Sequence, residues 1–329
     1  MATLLIYGAT GYTGRLATAH ARTLGLNIIL AGRSESTATY AKELNLPYRL
    51  FTLDDPSNID AGLKNITAVL NAAGPFLRTA EPLIEAAIRN KVHYLDVAAE
   101  LDSYKLAENN DARAKEAGVM LLPGCGGSVA MLGCLAGHAV KRVENPTSID
   151  ISLYVAGSMS RGSAISASEN LTAECLQIKD GELGPRDDAT NTIQLDFDNG
   201  AGELVNYPVT LPDLITLRRS TQVPDIRTWV HAAGDAFPTG DLAALPDGPT
   251  EEQRAASPYH AVAVVTGADG SVKRSVLHTV NGYTFTGLAS AEGAGRVLAG
   301  AVKPGFQTPV QAFGSEFVEV VEGTRIVDF

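Results

Sequence analysis

The most constraining stretch of this chain of 329 residues is at its start. A short apolar run, Leu4–Tyr7, leads into glycines at positions 8, 11 and 14, with the spacing GxxGxxG. A buried strand that enters a glycine turn and then a helix is typical of dinucleotide-binding domains. The glycines allow a tight reversal and a close approach of the backbone to a pyrophosphate, and the N–H groups of the helix start face the phosphates. The opening stretch therefore predicts a dinucleotide site.

Apolar strands and amphipathic helices are predicted to alternate over the first 127 residues. Apolar runs occur at 27–31, 48–51, 68–71, 93–97 and 119–122, with helical patterns between them. This alternation predicts an α/β fold, a Rossmann doubly wound parallel sheet. Because ligands bind outside the carboxyl ends of such strands, we expect one cleft that is bordered by residues 8–14, 33, 71–76, 96–100 and 123–127.

The pattern changes after residue 127, and we predict a division into domains 1–127 and 128–329. Residues 149–155 alternate between apolar and polar, which favours a second α+β domain with a mixed or antiparallel sheet for substrate binding or oligomerisation. A homodimer through uncovered sheet is one expectation. Further strands are predicted at 204–209, 261–266, 275–280 and 316–321, and loops at 180–202 and 233–258. We also predict a helix near 163–178 and another at about 288–300 that packs back on the first domain.

Charge and composition exclude several classes of partner. The formal net charge of −11 argues against nucleic acid and anionic membrane surfaces, so we expect a small-molecule substrate. No apolar run approaches a membrane span or a secretion leader. The cysteines (Cys125, Cys134 and Cys175) lack CxxC spacing, and no metal-binding motif occurs, so we expect no metal, reduced thiols and a cytoplasmic location.

The end of the second predicted strand indicates which dinucleotide binds. NAD-binding domains usually carry a carboxylate about 20 residues after the glycines, but no Asp or Glu occurs between Gly14 and Glu35. Arg33 and Ser34 instead offer a guanidinium and a hydroxyl for a 2′-phosphate. One charged hydrogen bond favours NADP over NAD roughly 10- to 100-fold. Asn71, which ends another predicted strand, is a candidate to bind a ribose.

Several ordered motifs together resemble one family, the saccharopine dehydrogenase-like group with its branch of trans-acting enoyl reductases. The motifs are IYGATGYTGR, LAGRS, VLNAAGPF, HYLDVAAE, VMLLPG, SRGSA and FQTPVQAFG. The resemblance implies a Rossmann domain, a second sheet domain and NADP. It implies that the pyrophosphate is bound by Gly8, Thr10, Gly11, Tyr12, Thr13 and Gly14. It implies that the adenosine phosphate is bound by Arg33 and Ser34, and that the ribose side is contacted by Asn71, Ala72, Ala73 and Gly74.

Two departures from the family pattern lie near the expected nicotinamide position. Relatives have roughly HYLDVTGE and PGVGFD, whereas this chain has Ala98-Ala99 before Glu100 and Gly127-Ser128 after Gly126. An expected carboxylate is therefore absent. The substrate is expected to differ from that of other members of the family.

The resemblance implies hydride transfer between nicotinamide and an imine/amine or activated alkene substrate. An alkene needs a proton donor, and the candidate catalytic residues are Tyr94, Asp96 and Glu100. Asp96 is about as well explained as a helix cap, and His93 is better explained as a structural residue. The alternative function is a non-catalytic NADP(H)-binding sensor or module. A short-chain dehydrogenase is disfavoured, because no tyrosine is followed four residues later by lysine.

Overall fold

The computed structural model describes residues 2–169, 174–234, 236 and 240–329. Strands and helices alternate through the first part of the chain, as the sequence predicts. In chain order these elements are β1 (Leu4–Tyr7), α1 (Tyr12–Thr23), β2 (Ile28–Gly32), α2 (Glu35–Glu43), β3 (Tyr48–Leu50), α3 (Pro56–Gly62), β4 (Ala68–Asn71), α4 (Phe76–Asn90), β5 (His93–Asp96), α5 (Leu101–Asn109), α6 (Asp111–Ala117) and β6 (Met120–Leu122).

The remainder of the chain begins with a buried helix and continues mainly as strands. Its elements are α7 (Gly127–Val140), β7 (Pro146–Ala156), α8 (Arg161–Glu169), β8 (Leu176–Lys179), β9 (Glu182–Pro185), β10 (Ile193–Asp196), β11 (Glu203–Pro208), α9 (Asp213–Thr221), β12 (Asp225–Ala233), α10 (Glu251–Ala255), β13 (Tyr259–Gly267), β14 (Val272–Thr279), α11 (Gly282–Leu298), β15 (Gly305–Phe306), α12 (Pro309–Phe313) and β16 (Arg325–Asp328). The described residues of this part also form 3₁₀ turns at Leu242–Ala244 and Ser315–Val320.

The first sheet is parallel and has the order β3-β2-β1-β4-β5-β6-β15. Its central strand is covered on both faces. Leu5 packs on the side of α3 and α4, while Leu4 and Ile6 pack with alanines of α1 and α11. The strand order reverses between β1 and β4, which is where such sheets open a ligand crevice. The predicted Rossmann doubly wound sheet is confirmed.

The second sheet is mixed, as predicted. Its main path is β10-β11-β12-β7-β13-β14-β16, with β8 and β9 beside β12. β7 and β12 are parallel over nine residue pairs, and the other pairs are antiparallel. One face packs on α7 and α9 in a core that contains Ile151, Leu214 and Ala263.

Two late elements return to the first sheet. α11 packs along α1: Ala291 and Ala294 share a core with Ala17 and Ala21. β15 extends the parallel sheet, since Gly305 pairs with Met120 and Phe306 with Leu121. The helix that was predicted at about 288–300 falls within the last part of α11, which begins earlier, at Gly282, and ends at Leu298. The division into domains at residue 127 stays a prediction. α11 and β15 follow that residue in the chain but pack on the first sheet.

Several predicted elements of the second half were wrong. The helix near 163–178 ends at Glu169, and β8 begins at Leu176; Leu171, which the prediction placed on its apolar side, is outside the described residues. Residues 316–321 form a 3₁₀ turn instead of a strand. The predicted loops contain β9, β10 and α10, and β12 was missed. These strands carry polar or charged residues on one face, so the apolar pattern alone was too weak to detect them.

Candidate functional site

The glycine turn has the backbone geometry that its sequence predicts. Gly8 has φ +80°, and a Cβ at this position would lie 2.8 Å from both the Cβ and the backbone N of Ala73. A Cβ on Gly14 would overlap the carbonyl oxygen of Gly8. The first glycine therefore allows both the left-handed turn and the contact between the loops after β1 and β4. The last one allows α1 to lie against β1.

The start of α1 presents backbone N–H groups beside this turn. Gly11 is the N-cap residue, and no side chain caps the helix. The first N–H groups of a helix have no partner within it, and the helix dipole makes this end positive. The backbone of Thr10 to Gly14 thus has the chemistry that a pyrophosphate needs.

The side chain of Tyr12 points away from this turn, toward the second half of the chain. Its hydroxyl donates to the carbonyl of Pro249 and accepts from Nη1 of Arg254 at 2.7 Å. Its ring also packs edge-on against Tyr283, with 5.2 Å between the ring centroids. The phenol is therefore engaged between the two parts of the chain. The predicted phosphate contact of this residue is available only through its backbone N–H.

An open cleft of about 730 Å³ follows the carboxyl ends of β1, β2, β3 and β4. Among the predicted residues, those that line it are Gly8, Thr10, Arg33, Ser34, Ala73 and Gly74. Gly11, Thr13 and Gly14 lie beside it in the turn and the helix start. Arg33 and Ser34 are exposed, and Arg33 forms no ion pair with any residue that the structure describes. Arg33 and Ser34 therefore meet the glycine turn in one cleft.

The cleft also contains residues that the sequence analysis missed. These additional lining residues are Tyr7, Gly32, Thr37, Thr52, Leu53, Asp54, Arg78 and Thr79. The stretch 52–54 follows β3, so the rule for strand ends could have found it. Arg78 lies in the first turn of α4, and its guanidinium is 3.0 Å from the Glu169 carboxylate at the end of α8. Arg78 is therefore a second positive charge in this cleft. The rule for strand ends could not predict it, because it lies in a helix.

Asn71 is buried and organises the loop after β4. Its Nδ2 donates to the hydroxyls of Thr79 at 3.1 Å and Tyr94 at 3.2 Å, and its Oδ1 accepts from the N–H of Ala73 at 3.0 Å. The amide is therefore used within the protein. The predicted ribose contact through this side chain does not follow from the geometry; its position instead fixes Ala73, which lines the cleft.

Tyr94 and Asp96 continue this buried network at the end of β5. The Tyr94 hydroxyl donates to Oδ2 of Asp96 at 2.8 Å, and Oδ1 accepts from the N–H groups of Ala98 at 3.0 Å and Gly124 at 2.8 Å. Burial raises the pKa of Asp96 to about 6, although the two backbone donors oppose this shift. Burial, reinforced by the Asp96 charge, raises the pKa of Tyr94. Asp96 thus ties the loop after β5 to the loop after β6 and does not cap a helix.

Glu100 performs a similar task one loop away. Its Oε2 accepts from the N–H of Ala99 at 3.0 Å, and its Oε1 accepts from the N–H of Phe76 at 3.3 Å. Phe76 is the first residue of α4, so the carboxylate satisfies a donor at a helix start, where the dipole favours negative charge. The three predicted catalytic side chains are thus brought close together, but each is buried and has hydrogen-bonding partners.

His93 and Cys125 have structural surroundings. The N–H of Met120 donates to Nδ1 of His93 at 3.2 Å, and burial lowers the pKa of this imidazole. Cys125 is fully buried beside Gly293 of α11, and burial raises the pKa of its thiol. A buried thiol with a raised pKa is a poor nucleophile. The structural interpretation of His93 fits these contacts.

One protein-family model matches the first part of the chain. The model of the saccharopine dehydrogenase NADP binding domain matches residues 4–122. This is the stretch that contains the glycine turn, Arg33 and the strands β1 to β6. Residues 4–122 are thus similar to the NADP binding domain of that family. NADP, the predicted cofactor, is the dinucleotide of this NADP binding domain.

The relatives of the NADP binding domain are enzymes and proteins of several kinds. A trans-acting enoyl reductase of Mycobacterium leprae is 31% identical over 109 residues, which are 30% of this chain and 25% of that protein. A saccharopine dehydrogenase-like oxidoreductase of Rattus norvegicus is 26% identical over 146 residues, 37% of this chain and 34% of that protein. The matches therefore span a quarter to a third of these relatives.

The fold beyond the NADP binding domain also has a counterpart. The apo structure of saccharopine dehydrogenase (L-Glu forming) from Saccharomyces cerevisiae matches over 100% of both chains with a TM-score of 0.67, at 13% sequence identity. This likeness confirms the two-part fold with its mixed second sheet. Among the described residues, no helix has the length and apolarity needed to cross a membrane.

Proposed function

We propose that this protein is an NADP-dependent oxidoreductase that transfers a hydride between nicotinamide and an imine/amine or activated alkene substrate. The observation that carries the proposal is the cleft of the NADP binding domain. There the uncapped start of α1 and the exposed Arg33 and Ser34 border one open space. The relatives with oxidoreductase and reductase names support the class of reaction.

The residues present fit the cofactor. A side chain on Gly8 would overlap Ala73, and one on Gly14 would overlap the Gly8 carbonyl, so the turn at the start of α1 requires both glycines. The N–H groups at the start of α1 would hold the pyrophosphate, and Arg33 with Ser34 would hold the 2′-phosphate. Arg78 would add a second positive charge. The group so bound supplies the hydride; the protein supplies position and electrostatics.

The opposite end of the sheet edge would receive the nicotinamide, beside the loops after β5 and β6. Asp96 binds both of these loops through Ala98 and Gly124, and Glu100 connects the loop after β5 to the start of α4. We therefore assign Tyr94, Asp96 and Glu100 a positioning role. Because an imine nitrogen can already carry its proton, an imine substrate needs no acid from these buried groups. This geometry favours an imine/amine over an alkene.

One observation favours the alternative, a non-catalytic NADP(H)-binding module. The three side chains that could have served as acids are buried and hydrogen-bonded. Such a protein would bind NADPH with the same contacts and turn nothing over. Both functions share the cofactor site, so the first experiment tests that site.

Calorimetry with NADPH and NADH tests the cofactor site. The wild-type protein is expected to bind NADPH more tightly, and Arg33→Gln should weaken NADPH binding roughly 10- to 100-fold because one charged hydrogen bond is lost. NADH affinity should stay unchanged. The control is Arg22→Gln, which removes an exposed arginine of α1 that does not line the cleft. Equal affinities for the two nucleotides would contradict the assignment of Arg33.

Turnover separates the enzyme from the module. NADPH oxidation is followed with cyclic imines, with imines formed from amino acids and oxo acids, and with enoyl thioesters. We expect that NADPH is consumed with an imine and is not consumed with the thioesters. Tight NADPH binding without consumption in any series would favour the non-catalytic module.

A further inference from the structure

A second cavity, of about 490 Å³, lies in the other half of the molecule, and we name it the β14 pocket after the strand that borders it. Its volume is typical of a site for a small molecule. The side chains that give it chemical character are Arg254, His260, His278, Asn281, Thr284 and Arg325. It shares no lining residue with the cofactor cleft.

Three basic side chains stand side by side along one edge of the β14 pocket. His260 of β13 pairs in register with His278 of β14, which pairs with Arg325 of β16. The two imidazoles are 3.0 Å apart between their Nδ1 atoms. Arg325 is exposed and forms no ion pair with a residue in the described ranges. A charged guanidinium without a counter-ion therefore faces the cavity.

The acidic groups around the β14 pocket do not cancel this charge. Glu251 is exposed in the lining, and Oδ2 of Asp198 lies 3.5 Å from Nε2 of His278, outside the lining. With neutral imidazoles the lining carries two arginines against one glutamate. A net positive lining in a chain of formal charge −11 favours an anion.

The remaining wall of the β14 pocket is the start of α11. Asn281 is its N-cap, with Oδ1 accepting from the N–H of Tyr283 at 3.0 Å, and Thr284 follows in the first turn. The helix is 17 residues long, so the positive end of its dipole adds to the arginine charges. Arginine guanidinia at a helix start are suited to oxygen atoms of carboxylates and phosphates.

Arg254 connects the β14 pocket to the cofactor turn. Its Nε donates to the Thr284 hydroxyl at 3.1 Å, and its Nη1 donates to the Tyr12 hydroxyl at 2.7 Å and to the Pro249 carbonyl at 3.0 Å. These bonds use Nε and Nη1 and leave Nη2 for a ligand. Tyr12 is the first residue of α1, whose N–H groups border the cofactor cleft.

We propose that the β14 pocket binds a small oxyanion, a carboxylate or phosphate group, through Arg254 and Arg325 at the start of α11. An anion on Arg254 acts on the hydrogen bond to Tyr12 and thereby on the position of the glycine turn. Oxyanion and NADPH then change each other's affinity by the same factor. This second part rests on the proposed cofactor site, whereas the oxyanion site itself does not.

The site is tested by calorimetry on the full chain without NADPH, with inorganic phosphate in one series and succinate in another. One binding event per chain that depends on Arg325 is expected, and the tighter series identifies the anion. Arg325→Gln should weaken it about tenfold, since a charged contact is lost. Lys273→Gln removes an exposed charge from the far end of β14 and should leave binding unchanged. Absence of binding in both series, or equal losses in the two variants, would overturn the proposal.

The connection to the cofactor has its own measurement. NADPH affinity of the wild type should change when the bound anion is present at a saturating concentration. Tyr12→Phe keeps the backbone and the ring but loses the hydroxyl contacts, and it should abolish that change. An unaltered effect of the anion in Tyr12→Phe would overturn the connection through Arg254. Because the anion titration contains no nucleotide, a failure of the cofactor site cannot be mistaken for a failure of the β14 pocket.

Discussion

The two ends of one sheet edge use their polar groups in opposite ways. The open end comprises residues 8–14, 33 and 34, where Arg33 and Ser34 are exposed and no side chain caps α1. The buried end comprises Asn71, Tyr94, Asp96 and Glu100, whose polar atoms bond to loops and to one another. The sheet topology is the same at both ends. Exposed polar groups are available to a ligand, whereas satisfied buried ones stabilise the site's shape.

This comparison predicts that substitutions at the open end change affinity and that those at the buried end change stability.

Gly8→Ala is expected to have the largest effect, because it damages the open end through the backbone. The left-handed φ and the overlap with Ala73 together cost about 2–6 kcal/mol of folding free energy or distort the turn. NADPH binding should be lost or greatly weakened in calorimetry. Gly25→Ala is the matched control: its φ of +66° is also left-handed, but a Cβ there has nothing within 4 Å. It should lose some stability and keep NADPH affinity; similar losses of affinity in both variants would contradict the prediction.

Asp213→Asn tests whether burial governs titration near the buried end. This first residue of α9 is fully buried, its carboxylate oxygens have no hydrogen-bond partner among the described residues, and burial raises its pKa to about 7. The folded protein thus keeps a proton that the unfolded chain loses near pH 3.8. The free energy of unfolding of the wild type should therefore fall as pH rises from about 4 to 7, by up to about 1.4 kcal/mol per pH unit.

In Asp213→Asn, most of this decrease in the free energy of unfolding between pH 4 and 7 should be absent. Urea titrations at several pH values measure it. The exposed Asp102→Asn is the control and should keep it. Asp96, whose pKa is raised to about 6, also lowers the free energy of unfolding as pH rises from 4 to 6. This contribution remains in both variants. An unchanged pH profile in Asp213→Asn would show that this carboxylate is solvated in solution.

Asp96→Asn tests the positioning role of the buried end. The amide replaces an acceptor by a donor opposite the Tyr94 hydroxyl or the loop N–H groups, which costs about 1–3 kcal/mol of folding free energy. NADPH affinity should change little. If turnover is found, kcat should fall without the loss of an acidic limb in the pH profile. Loss of that limb would instead identify Asp96 as a proton donor.

Tyr12→Phe is expected to have the smallest effect. It removes the hydrogen bonds to Pro249 and Arg254 but leaves the N–H and the ring contact with Tyr283. We expect a loss of about 0.5–1.5 kcal/mol in thermal unfolding and nearly unchanged NADPH affinity without added anion. A large loss of affinity would mean that the phenol itself contacts the cofactor, which would make the open end more dependent on side chains than its geometry indicates.

Much of the open end was predictable from sequence because local patterns determine it. Gly8, Gly11 and Gly14 follow a buried strand, and Arg33 follows the next one, so chain order alone places them at one sheet edge. The buried end was only half predictable. Sequence placed Tyr94, Asp96 and Glu100 at that edge, but their partners include Gly124 and Phe76, which are 28 and 24 residues away. Whether a carboxylate is free or already bonded depends on such contacts.

The sequence by itself determined the parallel sheet, the glycine turn and the dinucleotide, because each is indicated by short local patterns and by their order along the chain. Only the tertiary structure decided the rest: that β15 completes the first sheet, that β12 pairs with β7, and that Tyr12 contacts Arg254 of a distant segment. The physical reason is that these contacts join surfaces far apart in the chain. Their energies depend on packing and burial, which no local pattern of residues encodes.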